Sequence, residues 1–407
     1  MAQWRGLPSS PFAVARSSAS IADASHTARA LLGGLTPAQF MRRHWQRKPL
    51  QVRAAWPDVR PPADRRQLFE LLGRDEVESR FIERRGLQWR LRHGPISRRS
   101  LPPLSRPAWT VLVQGLDLHL DAAHDMLRAF DFIAQAHLDD LMLSYASDGG
   151  GVGPHADSYD VFLLQVQGRR RWAIAPPGDQ TLVPGLPLRI LARFEPQQEW
   201  VMEPGDLLYL PPGWGHDGVA QGGDCMTASI GFRAPRAGEL AAALLQRMAE
   251  EIAEATESAP SGPWSRRHAD PGLPATTLTG AVPSGLEGFA RAAIARVLRD
   301  EAVVARALGT WLTEPKPQVW FEAKPAAFCS DQALELDRRT RMAYDERHLF
   351  INGEAFRVAG LDARLLRLLA DRRRLEAPAV GRLTPEARAM AMDWVFHGWL
   401  HVHPCRP

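Results

Sequence analysis

Cysteine is scarce in this sequence. Three residues of 407, Cys225, Cys329 and Cys405, lie far apart and never form a Cys-x-x-Cys pair. That excludes a disulfide framework and a cysteine-built zinc finger, and it fits a reducing, cytoplasmic setting. No apolar run reaches the roughly 18 residues that a bilayer span needs, so no membrane partner is expected. There is no internal repeat, and no low-complexity tract outside the N-terminal stretch. Excess charge is also small. The formal net charge of +4 is too weak to argue for nucleic-acid binding, which is not expected here, although most of the positive charge is arginine.

What remains is an ordinary globular composition, 45% apolar and 24% charged, on a chain long enough for two or three domains. Residues 1–28 are rich in Ser, Ala and Arg, with Asp23 as the first acid, and are expected to form a disordered tail. Residues 29–234 begin with helical stretches. Thr36 is an expected helix N-cap with Pro37 in the first helical position. From Leu141 the texture changes to short strands separated by Gly and Pro: "LMLSYA", "DVFLLQVQ", "RRWAIA", "EWVME", "DLLYLPP" and "MTASIGFR". Such a series points to a β-sandwich or barrel rather than a βαβ sheet.

Residues 235–312 read as helical. Leu240, Leu244, Met248 and Ile252 share one helix face. "LEGFARAAIARVLRDEAVVARALGTWL" reads as a second long helix, and two such helices must pack on the barrel or on another subunit. Residues 313–407 follow a Pro-containing linker. They read as a small α+β module, with a turn at Asn352-Gly353 and an N-cap at Thr384-Pro385, in an order that resembles a winged helix.

The chemistry concentrates in "GPHADSYDVFLLQVQGRRRW" and "EPGDLLYLPPGWGHDG". His155 and Asp157, two apart on a strand, point to one face and can reach one ion. His216, after a Pro-Pro-Gly-Trp turn, is the candidate third ligand on a strand distant in sequence but adjacent in a barrel. Two imidazoles and one carboxylate leave coordination positions open, as in non-haem iron(II) oxygenases. Catalytic zinc is the chemical competitor. A 2-oxo acid cosubstrate would chelate such an iron and need a cation for its far carboxylate. Alternation turns Arg170 to one face of its strand and Arg169 and Arg171 to the other, and strand period alone does not say which face points inward.

"SYASDGGGVGPHADSYDVFLLQVQGRRRW" and "PGDLLYLPPGWGHDG" resemble the JmjC/cupin-type ribosomal oxygenases, most closely the bacterial YcfD (RoxA) group of ribosomal protein arginine hydroxylases. The resemblance implies an α+β chain: a double-stranded β-helix (JmjC/cupin barrel), a helical dimerisation region and a C-terminal winged-helix domain. It implies an iron(II)- and 2-oxoglutarate-dependent hydroxylase, with the β-carbon of an arginine in large-subunit ribosomal protein L-sixteen as its target, and a homodimer. By position, His155, Asp157 and His216 would bind iron, Arg170 would hold the distal carboxylate of 2-oxoglutarate, and Ser144 would contact the cosubstrate. Thr227 and Ser229 are further pocket candidates. Asp148, Tyr159 and Asp160 are candidates for the substrate guanidinium, each with a plainer structural role open. A JmjC-type oxygenase acting on another protein, and a non-catalytic metal-binding cupin with a DNA-binding winged helix, are the competing readings.

Overall fold

The computed structural model describes residues 28–233, 235–259, 261–262, 264–323 and 328–403. The tail expected over residues 1–28 lies, apart from its last residue, outside them. Helix α1 (Pro37–Arg43) starts as its sequence dictates. The Thr36 side chain accepts from the Gln39 amide while the Gln39 side chain accepts from the Thr36 amide, with Pro37 in the first turn. Asp64 and Gln67 repeat this reciprocal cap at α2 (Arg65–Leu71). A third short helix, α3, spans Asp121–Leu127.

These helices cover one face of a ten-stranded antiparallel sheet that curls into a barrel. Its strands are β1 (Leu50–Val52), β2 (Ser79–Arg85), β3 (Gln88–His93), β4 (Trp109–Val113), β5 (Leu138–Ala146), β6 (His155–Ala156), β7 (Asp160–Ala175), β8 (Gln198–Met202), β9 (Leu207–Leu210) and β10 (Gly215–Phe232). Two long strands close the barrel. The first half of β7 pairs with β9 and its second half with β8. The start of β10 pairs with β6 and its end with β5, and β10 pairs with β7 along most of its length.

The expected pair of strands "DVFLLQVQ" and "RRWAIA" is therefore one strand of 16 residues. Gly168 does not end it. At φ +65° the glycine bends the strand, and a Cβ there would lie 2.9 Å from the Asp224 carbonyl oxygen.

Side-chain alternation sets inside from outside. Leu141, Leu143 and Tyr145 of β5, Phe162 and Leu164 of β7, Leu207 and Tyr209 of β9 and Ala228 and Ile230 of β10 join the core beneath the helices. The opposite face turns into the barrel. There Val161, Leu163, Trp172, Ile174, Met202, Leu208 and Leu210 form a second apolar cluster.

After the barrel come α4 (Ala237–Ser258), α5 (Ser284–Arg299) and α6 (Glu301–Thr313). The long helix read from the sequence is broken in two. Asp300 leaves helical geometry (φ −83°, ψ 92°), and its carboxylate accepts from the amides of Ala302 and Val303, so it caps α6 rather than continuing α5. Of the face Leu240–Ile252, only Met248 is buried, against Val303 and Ala307.

The C-terminal module has a three-stranded sheet of β11 (Ala333–Leu336), β15 (Arg374–Leu375) and β16 (Leu400–His403). A hairpin sheet of β12 (Met342–Tyr344), β13 (His348–Ile351) and β14 (Glu354–Arg357) lies beside it, and Asn352 (φ 47°) and Gly353 (φ 88°) turn the chain where expected. Leu366 and Leu369 of α7 (Gly360–Arg372) pack with Trp394 of α9 (Pro385–Phe396), a helix capped by Thr384; a short helix α8 (Ala377–Val380) lies between them. The module is fastened to the barrel by Arg338, which bonds the Asp121 carboxylate (2.6 Å) and the Leu118 carbonyl (3.0 Å). Lys316 pairs with Asp139 (3.2 Å). Among the described residues no helix is long and apolar enough to cross a membrane.

Candidate metal centre

His155 opens β6 and stands directly opposite His216 in the β6–β10 register. Asp157 follows β6 by one residue. The three are the group of His, Cys, Asp or Glu residues that converge as a metal ligand set among the described residues, with one ligand atom from each within 4.8 Å of the others. Nε2 of His216 lies 3.5 Å and Nε2 of His155 4.0 Å from Asp157 Oδ2, and the two rings are 4.2 Å apart.

The same device orients both imidazoles. Nδ1 of His155 sits 2.9 Å from the Gly153 carbonyl, and Nδ1 of His216 sits 3.0 Å from the Trp214 carbonyl. A carbonyl only accepts, so each Nδ1 carries the proton and each Nε2 presents a lone pair to the centre. Burial, reinforced by the neighbouring His155, lowers the pKa of His216 to about 4. The ring is thus neutral and ready as a ligand across the ordinary pH range.

The register also resolves the arginine run. His216, Gly218 and Ala220 face Ile174, Trp172 and Arg170 across β7 and β10. Trp172 and Ile174 belong to the interior cluster, so Arg170 points inward with His216. Arg171 turns outward to Glu199 (2.7 Å) and Asp217 (3.5 Å), and Arg169 is exposed. Arg170 is only 4% exposed. One Nη donates to the Gly218 carbonyl at 3.2 Å, whereas Nε and the other Nη are buried without a partner. An unmatched buried guanidinium is costly, and a bidentate carboxylate is the group that satisfies that fork.

The other interior side chains are polar here. Thr227 donates to the Gln165 amide oxygen (2.9 Å), and Ser144 Oγ makes a long 3.3 Å bond to the Thr227 carbonyl. Ser229 is buried on the same face. Of the substrate-contact candidates, Asp160 is not at the centre. It accepts from the Tyr209 hydroxyl (2.5 Å) and the Gln46 side chain, on the helix-covered side of the sheet. Asp148 caps a turn by accepting from the Gly222 amide. Tyr159 stays near the centre, its hydroxyl pKa raised by burial and by the Asp157 charge.

Sequence reasoning missed how tightly glycine closes this pocket. A Cβ on Gly218 would lie 2.6 Å from the Trp172 ring, and one on Gly151 would lie 2.5 Å from the Gly218 carbonyl oxygen. The Trp172 indole thus fills the space between His216 and Arg170. Gly218→Ala is expected to displace that ring and cost about 1–3 kcal/mol of folding stability. A thermal melt identical to that of the unaltered protein would show that the indole is free to move.

Comparison with known proteins places these features. A JmjC domain model matches residues 125–240, and a ROXA-like winged-helix model matches residues 296–401. The ribosomal protein uL16 3-hydroxylase of Escherichia coli (strain K12) is 36% identical over 205 residues, covering 49% of this chain and 53% of that protein. The chain thus spans about half the length of the curated relatives it matches in sequence. In three dimensions it superposes on E. coli YcfD with a TM-score of 0.77 and 26% identity, over 91% of this chain and 98% of that one. It also superposes on YcfD, a ribosomal oxygenase from E. coli, in complex with cobalt and 2-oxoglutarate, with a TM-score of 0.74 and 25% identity, over 90% and 98%.

Proposed function

We propose that this chain, which carries a JmjC domain followed by a ROXA-like winged helix, is a metal- and 2-oxoglutarate-dependent oxygenase of a ribosomal protein. Further, the metal is iron(II), and the target is an arginine β-carbon of ribosomal protein L-sixteen. One observation carries the reading. The buried, unmatched guanidinium of Arg170 lies on the same interior face as His216, which meets His155 and Asp157. A metal-binding protein without turnover has no use for that second feature.

His155, Asp157 and His216 would hold the ion from one side through two Nε2 atoms and a carboxylate oxygen. Bound there, iron(II) with 2-oxoglutarate activates dioxygen and supplies the oxygen atom that enters a C–H bond. Arg170 would take the distal carboxylate of the cosubstrate. Ser144, weakly held by the Thr227 carbonyl, would turn its hydroxyl to the same group. Trp172, Leu163, Met202 and Leu208 line the apolar wall that would keep water from the pocket, and Tyr159, whose hydroxyl feels the Asp157 charge, would face the substrate. Cobalt and 2-oxoglutarate are bound by the similar YcfD, which supports this use of the pocket.

The test is incubation with iron(II), 2-oxoglutarate and a peptide from the arginine-containing loop of L-sixteen. A mass gain of one oxygen atom is expected. Release of succinate without oxidation of the peptide would move the target to another protein.

The helical region 235–312 is proposed as the contact of a homodimer. No residue of α5 is buried, and Leu286, Ile294 and Leu298 of that helix are exposed, with Leu245 of α4. Solution scattering at micromolar concentration is expected to return twice the 45.2 kDa chain mass. Ile294→Glu is expected to return the single chain. A monomer in both would remove this proposal.

A further inference from the structure

The β2–β3 hairpin and the loop after it concentrate arginine. Residues 78–106 contain eight arginines, no lysine and two acids, Glu78 and Glu83, whereas the whole chain is only +4; the remainder is therefore net negative. Glu83 is buried and spends its charge on Arg85 (3.1 Å) and Arg106 (3.5 Å), and Glu78 sits 3.5 Å from Arg80. Arg84, Arg90, Arg98 and Arg99 are exposed, and none has a carboxylate within 4.0 Å among the described residues. At the tip Leu87 is 94% exposed.

This arm lies against the metal centre. A Cβ on Gly153 would sit 3.2 Å from Trp89 Cζ2, so the β3 indole touches the residue whose carbonyl holds His155. β3 ends the sheet, and charge does protect an edge strand from pairing with another chain. Only Arg90 and Arg92 lie on β3, however; the other six arginines of the arm are on β2 or in the loop, and all are of the type whose planar fork matches phosphate.

We infer that this arginine-rich arm binds the phosphate backbone of RNA and so presents the site with a ribosomal protein accompanied by its RNA. The inference rests on the oxygenase reading for its choice of partner. A loop that delivers an arginine is itself cationic, and an arm whose Arg84, Arg90, Arg98 and Arg99 have no carboxylate partner among the described residues repels it at close range. A polyanion bridging the two removes that repulsion and raises the local concentration of substrate. The small net charge of +4 conceals how unevenly charge is distributed along the chain.

The experiment uses the full chain and a fluorescein-labelled, mixed-sequence RNA of about 20 nucleotides, followed by anisotropy from about 50 to 200 mM salt. The unaltered protein is expected to bind with a negative log–log salt slope. The triple variant Arg90→Gln, Arg98→Gln, Arg99→Gln is expected to bind about tenfold or more weakly, with the slope reduced by about 2, since each phosphate contact to a single strand contributes about 0.7. Arg99→Glu alone should weaken binding in the same direction, and all three sites are exposed, so thermal melts should match. RNA binding left intact by the triple variant but lost in Arg364→Gln, Arg388→Gln would place the contact on the winged helix and overturn the inference. Equal binding of polyglutamate or of phosphatidylglycerol vesicles, or no RNA binding at low salt, would also overturn it. Turnover of 2-oxoglutarate with free peptide is scored separately; its failure would strike the oxygenase reading and leave the RNA result standing.

Discussion

Asp157→Ala is expected to abolish metal retention and peptide oxidation together while leaving the fold intact. Removing only an outer partner of a ligand costs about 10–100-fold in metal affinity or activity. Removing the carboxylate itself deletes the sole negative charge of the three-residue set, so a loss beyond about 100-fold is expected. Among the described residues the carboxylate makes no hydrogen bond that holds the barrel together; its neighbours are the two imidazoles. Thermal stability measured with chelator present should therefore be unchanged. Metal content after dialysis against cobalt(II), with the melting curve, separates loss of the site from loss of the fold. A variant that still retained one equivalent of cobalt(II) would remove Asp157 from the ligand set.

Arg170→Met is expected to separate cosubstrate binding from stability in the opposite sense. Truncating one partner of a buried, hydrogen-bonded charge pair costs about 2–5 kcal/mol, so 2-oxoglutarate should bind roughly 100-fold more weakly, with metal binding unaffected. In the protein without cosubstrate the same change replaces a guanidinium with two unmatched donors by an apolar chain of similar length. Stability should stay level or rise, because an unpaired buried charge is a burden on the fold. Calorimetric titration with 2-oxoglutarate and a thermal melt give both numbers. Unaltered affinity for 2-oxoglutarate in the variant would assign the carboxylate to another cation.

Much of this site was legible because it depends on local spacing. His155 and Asp157 lie two apart, and strand geometry turns such residues to one face wherever the strand goes. The inward turn of Arg170 was not legible from alternation, which offers two faces and no means of choosing. It took the pairing of Ala220 with Arg170 across β10 to place it with His216. Trp172 over Gly218 and Trp89 against Gly153 were also hidden, since both join segments brought together only by the closed barrel.

Two element boundaries were misread for opposite reasons. At Asp300 the apolar period runs on through the break, and the side-chain cap, stronger locally than the period, ends one helix and starts the next. At Gly168 the glycine reads as a terminator, yet its left-handed backbone bends a strand whose ladder continues on both sides. The Thr36, Asn352-Gly353 and Thr384 signals were legible because each is satisfied within four residues of itself.

That unbroken β7 has a thermodynamic corollary. It bears Arg170, the proposed cation for the cosubstrate, and its ladder partner bears His216, so neither half of the pocket can fray without unzipping strands shared by both walls of the barrel. Amide protons along Phe162–Ile174 should exchange with solvent only through whole-domain opening, and the candidate site forms a single cooperative unit with its scaffold.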